Sequence, residues 1–247
     1  MKKALLIVAM IMACMVSHAQ VNIQEMADFN RGHFTTTLEM FKGDNWGSTF
    51  FFNDIYHPNL TTPTGYYTEI ARSLNFWQSS KLGALSLHVE WNGGQFASNA
   101  WLFGAEYFLH SADFSKRLTL EVMYKEIRGA AANGKTSDIP LQFTAVWGID
   151  NLFGVKGLMF SGFADFWWEN MMWGVDENLK PINTSCVFLS EPQLWYNVGQ
   201  FFNCENLFIG GEVEIAYNFT GGWYSGADFG KNQGFSVAPA AGIKWNF

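Results

Sequence analysis

The sequence predicts an all-β protein: a transmembrane antiparallel β-barrel of about twelve strands behind a cleaved signal peptide. Three observations predict it. First, 49% of the residues are hydrophobic and 17% aromatic, yet the mean hydropathy is close to zero. Apolar and polar residues that alternate cancel in that average. Second, the alternation has period two, the period at which side chains share one face of a strand. Third, the chain ends on an alternating aromatic strand. Phe235, Val237, Pro239, Ala241, Ile243, Trp245 and Phe247 stand on one face, and Ser236, Ala238, Ala240, Gly242, Lys244 and Asn246 on the other.

Composition narrows the function classes. The 247 residues carry 15 Lys and Arg against 22 Asp and Glu, a formal net charge of −7. A nucleic-acid binder needs clustered cations, which this chain lacks. Its hydrophobic content is too high for a disordered chain. Three cysteines are too few for a disulfide scaffold.

Residues 1–19 read as a leader. Lys2 and Lys3 precede an apolar run from Ala4 to Val16, and Ser17-His18-Ala19 supplies the small residues of a cleavage site. Cleavage is expected after Ala19, which leaves 20–247 as one barrel domain. The alternative, a lipoprotein signal with Cys14 lipidated, fits less well because the apolar run continues past Cys14. Beyond residue 19 no segment reaches the ~18 apolar residues of a spanning helix. The richest, Gly157 to Trp168, is interrupted by Asp165.

The expected strands, in order, are 22–30, 34–42, 46–56, 66–76, 84–92, 100–110, 117–127, 139–149, 157–168, 187–198, 206–218 and 235–247. An even count suits a single-chain bacterial barrel. Leu85, Leu87, Val89 and Trp91 oppose Ser86, His88, Glu90 and Asn92. Trp101, Phe103, Ala105, Tyr107 and Leu109 oppose Gly104, Glu106 and His110. Leu118, Leu120, Val122 and Tyr124 oppose Thr119, Glu121 and Lys125. The segments 141–149 and 207–217 alternate likewise. The segments 46–56 and 66–76 alternate poorly, with Phe50, Phe51 and Phe52 consecutive. This order puts both ends of the barrel on the periplasmic side. Short turns at 43–45, 111–116 and 150–156 lie there, and mostly longer loops at 57–65, 128–138, 169–186 and 220–234 lie outside.

Parity then assigns a lumen. Glu39, Asp54, Glu90, Glu106, Glu121, Asp165, Glu191, Glu212 and Glu214 face inward with Lys125 and Lys244. An acidic lumen repels anions and favours neutral or cationic solutes. Phe41, Phe108, Phe163, Trp167 and Trp195 also face inward, where aromatic rings can stack on a flat solute. The plainer account is that such rings fill the lumen or belong to an interfacial girdle; Trp167 and Trp168, near a strand end, suit the girdle.

No catalytic motif is present. There is no Gly-x-Ser-x-Gly elbow, no phosphate-binding glycine loop, no His-Glu-x-x-His and no Cys-x-x-Cys. His88, Glu90, Glu106 and His110 share the inward face of adjacent strands, with Glu106 diagonal to His88. Such a cluster can run acid–base chemistry or hold a metal; a charge-balanced lumen network is the favoured account. The expectation is therefore no enzyme, no cofactor and no metal. Cys186 and Cys204 fall at opposite ends of one strand, about 40 Å apart at ~3.3 Å per residue, too far for a disulfide.

Two stretches carry a family resemblance. They are Thr35-Thr36-Thr37-Leu38-Glu39-Met40-Phe41 followed by Trp46-Gly47-Ser48-Thr49-Phe50-Phe51-Phe52-Asn53-Asp54, and Tyr67-Thr68-Glu69-Ile70-Ala71-Arg72-Ser73-Leu74-Asn75-Phe76-Trp77. They resemble the N-terminal part of Tsx-like nucleoside-specific channel-forming outer-membrane proteins, in particular the Tsx-related group of Bacteroidetes-type bacteria. The match covers residues ~30–77; elsewhere the likeness lies in length, strand rhythm and the terminal aromatic. The resemblance implies a twelve-stranded outer-membrane barrel passing nucleosides by facilitated diffusion. It implies solute-binding roles for Glu39, Phe41, Phe50, Phe52, Asp54 and Glu69, with the inward member of Phe50 to Phe52 left open. Parity adds Glu90, Glu106, Phe163, Asp165, Trp195 and Glu212.

The expected function is passive diffusion of nucleosides or similar small neutral solutes through the outer membrane of a diderm bacterium. The expected partners are the lipid bilayer, those solutes, and the barrel-assembly machinery through the strand ending at Phe247, with no nucleic acid. Other readings are a closed barrel acting as a receptor, adhesin or structural protein, a barrel hydrolase using His88 and Glu106, and a soluble secreted β protein.

Overall fold

The computed structural model describes residues 20–59, 61–95, 99–128, 136–170, 172–175, 178, 181–183, 186–219 and 234–247. The leader and Cys14 lie outside the described residues. Twelve antiparallel strands form one closed barrel. They are β1 (Gln20–Asp28), β2 (His33–Asp44), β3 (Gly47–His57), β4 (Gly65–Leu74), β5 (Leu85–Gly94), β6 (Asn99–His110), β7 (Lys116–Arg128), β8 (Leu141–Asp150), β9 (Leu158–Trp168), β10 (Cys186–Ser190 and Gln193–Asn197), β11 (Leu207–Tyr217) and β12 (Phe235–Asn246). Each strand pairs with its sequence neighbours, and β12 closes on β1 from Asn22↔Asn246 to Asp28↔Ala240. A short hairpin of Met172–Val175 and Pro181–Asn183 stands apart in the connection between β9 and β10. Among the described residues no helix is long and apolar enough to cross a membrane.

The expected strands fall within a few residues of these, with one correction. The tenth is interrupted at Glu191-Pro192. Proline has no N–H to give to the ladder. The register is nevertheless the same on both sides of the break: Ser190 faces Ala164 and Gln193 faces Ser161. The chain therefore runs straight through and parity is kept. Gly162 makes room for it. Its φ is 147°, and a Cβ there would sit 2.4 Å from the Glu191 carbonyl oxygen.

The molecule is turned inside out relative to a soluble domain. Ile70, Leu87, Trp101, Phe103, Leu120, Tyr124, Ile209 and Ile243 are exposed on the outer surface. Gln24, Thr37, Ser73, His88, Glu90, Glu121 and Lys125 are buried on the inner one. An apolar outer surface of this kind suits hydrocarbon and not water. At the end where β1 begins and β12 ends, every turn exposes an aromatic residue: Trp46, Phe76, Phe114, Phe153, and Phe201 with Phe202. Phe114 and Phe153 hold φ near +58° and +55° to do so, a conformation bulky residues rarely adopt. Such a ring is the aromatic girdle of a membrane interface.

Connections at that end span 45–46, 75–84, 111–115, 151–157 and 198–206. Those at the other end include 129–140, 169–185 and 218–234, the longest of the chain, beside two short turns at 29–32 and 95–98. The loop asymmetry read from the sequence holds for those three long connections; it fails at the two short turns and at 58–64, which is shorter than 75–84 and 198–206 at the girdle end. Cys186 and Cys204 are both free, as the strand spacing requires.

Val122 stands at the middle of β7 on the outer face and is 52% exposed. Val122→Arg is expected to cost about 2–4 kcal/mol of barrel stability, measured by urea unfolding in liposomes. A change near zero would show that this face does not meet hydrocarbon.

Candidate functional site

The inner wall has three parts, each set by which strand parity faces inward. On β2 to β4 it is aromatic and acidic. Thr37 Oγ1 donates to Asp54 Oδ1 at 2.5 Å, which puts the even positions of β3 inward. Phe50 and Phe52 therefore face the lumen and Phe51 faces out, which resolves the Phe triplet. The Phe50 and Phe52 rings lie 5.9 Å apart between centroids, and Phe52 and Tyr67 5.6 Å. Glu69 is the register partner of Phe52. Asn22 Nδ2 donates to Glu39 Oε1 at 2.9 Å. Phe41 stands near the girdle end of β2, 45% exposed. Five of the residues carried by the family resemblance thus form one ladder with Tyr67, and Phe41 lies at its foot.

On β4 to β7 the wall carries a buried ionic network. His88 Nδ1 donates to Glu106 Oε2 at 2.9 Å, and Ser73 Oγ donates to the same oxygen at 2.7 Å. His88 Nε2 lies 3.3 Å from Glu90 Oε2, while Asn92 Nδ2 donates to Glu90 Oε1 at 2.8 Å. Glu121 Oε2 lies 4.0 Å from His88 Nδ1. The diagonal placing of Glu106 follows from the β5–β6 register, in which His88 faces Gly104 and Ser86 faces Glu106. Glu106 and Glu121 are direct partners across β6 and β7. Like charges so placed repel, and the imidazole between them offsets that repulsion. His110 takes no part. It stacks on Phe114 at 4.0 Å and meets the Ser111 carbonyl at the girdle end.

On β6 to β11, toward the long-loop end, the wall is dry. Leu102, Val187 and Ala216 face inward and are 0% exposed, and Met123, Ile127, Trp167 and Leu189 join them in one cluster, with Phe163 packed against it. Inward side chains on an open lumen would be wetted; these are covered. Lys125 crosses the boundary, with Nζ 2.6 Å from Gln142 Oε1 and 3.8 Å from the Trp167 ring. Trp167 Nε1 donates to Glu169, so Trp167 is a packed lumen residue and not part of the girdle, whereas Trp168 packs outward on Phe143 and Phe166.

A smaller cluster joins Met26, Trp195, Phe208 and Ala240. Trp195 is 0% exposed under Lys244 Nζ, which sits 4.4 Å from its ring. A solute cannot stack on a ring already covered, so Trp195 is structural here. Phe163 is likewise engaged with the dry cluster. Asp165 accepts from Thr144 at 2.5 Å, and Glu212 accepts from Gln193 Nε2 at 3.0 Å. Arg31 ion-pairs with Glu214 and with Asp28.

The structure thus gathers Glu39, Phe50, Phe52, Asp54 and Glu69 on one wall and Glu90 and Glu106 on another, and leaves Trp195 and Phe163 in packing roles. His88 and Glu121 belong with Glu90 and Glu106. Parity places all four inward, but only the register brings them together.

A closed antiparallel barrel with an apolar outer surface, an aromatic girdle and a polar lumen defines a membrane-spanning β-barrel protein. Within that class the chain belongs to the family described as Domain of unknown function (DUF5020), which residues 21–247 match. No curated protein is similar to it in sequence. Among solved structures it is similar to the NanC porin in a rhombohedral crystal form, with 9% identity and a TM-score of 0.51 over 92% of this chain and 100% of that one. It is also similar to the KdgM porin in complex with disordered oligogalacturonate, at 10% identity and a TM-score of 0.48 over 92% of this chain and 99% of that one. Likeness at this identity concerns the fold.

Glu106→Leu leaves His88 without its closest buried partner. It is expected to cost about 3–5 kcal/mol, seen as a lower urea midpoint of the refolded barrel. A loss under about 1 kcal/mol, the range of exposed pairs, would mean that the network does not hold the wall.

Proposed function

We propose that the protein is an outer-membrane channel for passive diffusion of small neutral or cationic solutes, with nucleosides or similar compounds as the solute class. The observation that carries this reading is the inward ladder of Phe50, Phe52 and Tyr67 beside Glu39, Asp54 and Glu69. A flat base stacks on such rings for about 1–3 kcal/mol. Sugar hydroxyls donate to the carboxylates. The acidic wall disfavours anionic solutes. The nucleoside preference itself rests on these residues and on the resemblance of residues ~30–77 to Tsx-like channel proteins. In this reading the lipid bilayer surrounds the outer face, the barrel-assembly machinery recognises the strand ending at Phe247, and no covalent chemistry or catalytic cofactor takes part.

The dry cluster favours a second reading, a closed barrel acting as a receptor or structural protein. Leu102 and Val187 at 0% exposure mark a level where inward apolar side chains fill this part of the lumen. In the channel reading this level is a hydrophobic constriction that gates by dewetting.

Single-channel conductance of the refolded protein in a planar bilayer decides between them. A small cation-preferring current, reduced by adenosine and not by a sugar or an amino acid, is the expected result. Phe52→Ala is expected to weaken adenosine block about fivefold or more, the loss of one stacking ring. The double variant Leu102→Ser and Val187→Ser widens and wets the constriction and is expected to raise the current. No current from a heat-modifiable folded barrel, in the wild type and the double variant alike, would leave the closed barrel.

A further inference from the structure

The network around His88 has a second property that transport does not use. A donor atom from each of His88, Glu90 and Glu121 lies within 4.8 Å of the other two, and all three residues are buried. We propose that these three residues bind one first-row divalent transition ion, of the Zn²⁺ or Co²⁺ type, inside the barrel. The proposal rests on the geometry of the wall and not on the channel reading.

Three features separate the cluster from a patch of acidic residues. The ligands are held by atoms they do not need for a metal. His88 Nδ1 donates to Glu106, itself held by Ser73, so Nε2 is the ring nitrogen turned toward Glu90, where a metal ion would take the place of its proton. This is the carboxylate–histidine arrangement that orients metal ligands. Asn92 holds Glu90 through Oε1, and Oε2 stands 3.3 Å from His88 Nε2, a contact that an ion seated between them would replace. With bonds of about 2.0–2.2 Å, two donors on one tetrahedral ion stand about 3.3–3.5 Å apart.

The second feature is Glu121. It is 8% exposed, and no hydrogen bond reaches it from any described residue; its one ion-pair contact is the 4.0 Å approach of Oε2 to His88 Nδ1. A buried carboxylate without a hydrogen-bond donor is costly. Here one of its oxygens lies within 4.8 Å of a donor atom of His88 and of Glu90, and a divalent ion would supply the partner that no described hydrogen-bond donor does.

The third feature is the donor set. One imidazole nitrogen with two carboxylate oxygens suits zinc-like ions, whereas magnesium and calcium take oxygen alone. Three protein ligands leave a fourth position open to water or solute.

The test uses the full refolded barrel, stripped with EDTA and loaded with Co²⁺, followed by desalting and metal analysis. One Co²⁺ per barrel, displaced by Zn²⁺ and not by Mg²⁺, is expected. His88→Gln and Glu121→Gln are each expected to bind at least tenfold more weakly, with Glu191→Gln, an inward carboxylate outside the cluster, unchanged. Glu106→Gln, which acts only through His88, is expected to weaken binding about 10–100-fold. Heat-modifiability on a gel shows that each variant is folded. Where a variant fails to fold, the Cu²⁺-loaded wild type decides, because one coordinated imidazole nitrogen must appear in its electron spin resonance spectrum. Retention of no Co²⁺, equal retention by folded His88→Gln and Glu121→Gln, or a copper spectrum without nitrogen coupling each overturns the proposal.

Discussion

A peptide group in hydrocarbon has no water to bond with, and leaving one unpaired costs several kcal/mol. The closure of β12 on β1 meets that constraint by turning a sheet with two open edges into one with none. Everything else in this structure follows from keeping that ring complete. Pro192 breaks the ladder by one N–H without shifting the register, and Gly162 yields the space. With the ring closed, each strand has one face toward lipid and one toward the lumen.

The lumen must then solve a different problem. It holds carboxylates from most strands and few cations, and several of them, Glu90, Glu106, Glu121 and Glu214 among them, are buried. Two solutions coexist. On the β6–β11 side, apolar side chains and Trp167 pack until water is excluded, and Lys125 bridges to the polar part. On the β2–β7 side, carboxylates accept from Thr37, Asn22, Ser73, Asn92 and His88. The candidate solute wall and the His88 cluster are both on this hydrogen-bonded side. Both candidate sites therefore sit where packing gave way to hydrogen bonding.

Much of this architecture can be read along the chain. Period-two alternation separates Leu120, Val122 and Tyr124 from Thr119, Glu121 and Lys125, and the structure keeps them apart. It fails where a run is uniform, as at Phe50 to Phe52, because three consecutive aromatics carry no phase. It assigns Trp167 correctly to the lumen, yet proximity to a strand end suggested the girdle. Parity also made Trp195 a lumen residue, but parity says nothing of Lys244 lying over its ring.

The sequence by itself determined the number of strands, the face taken by residues of the alternating strands, the free cysteines and the acidic sign of the lumen. These depend only on local backbone geometry and spacing along one strand. The tertiary structure alone decided that Glu121 joins His88 and Glu106 yet is left without a hydrogen bond from any described residue, that Phe50, Phe52 and Tyr67 form one ladder, and that Leu102 and Val187 are dry. Those depend on register between strands and on what lies opposite across the lumen. Both are fixed only when the ring of twelve strands closes.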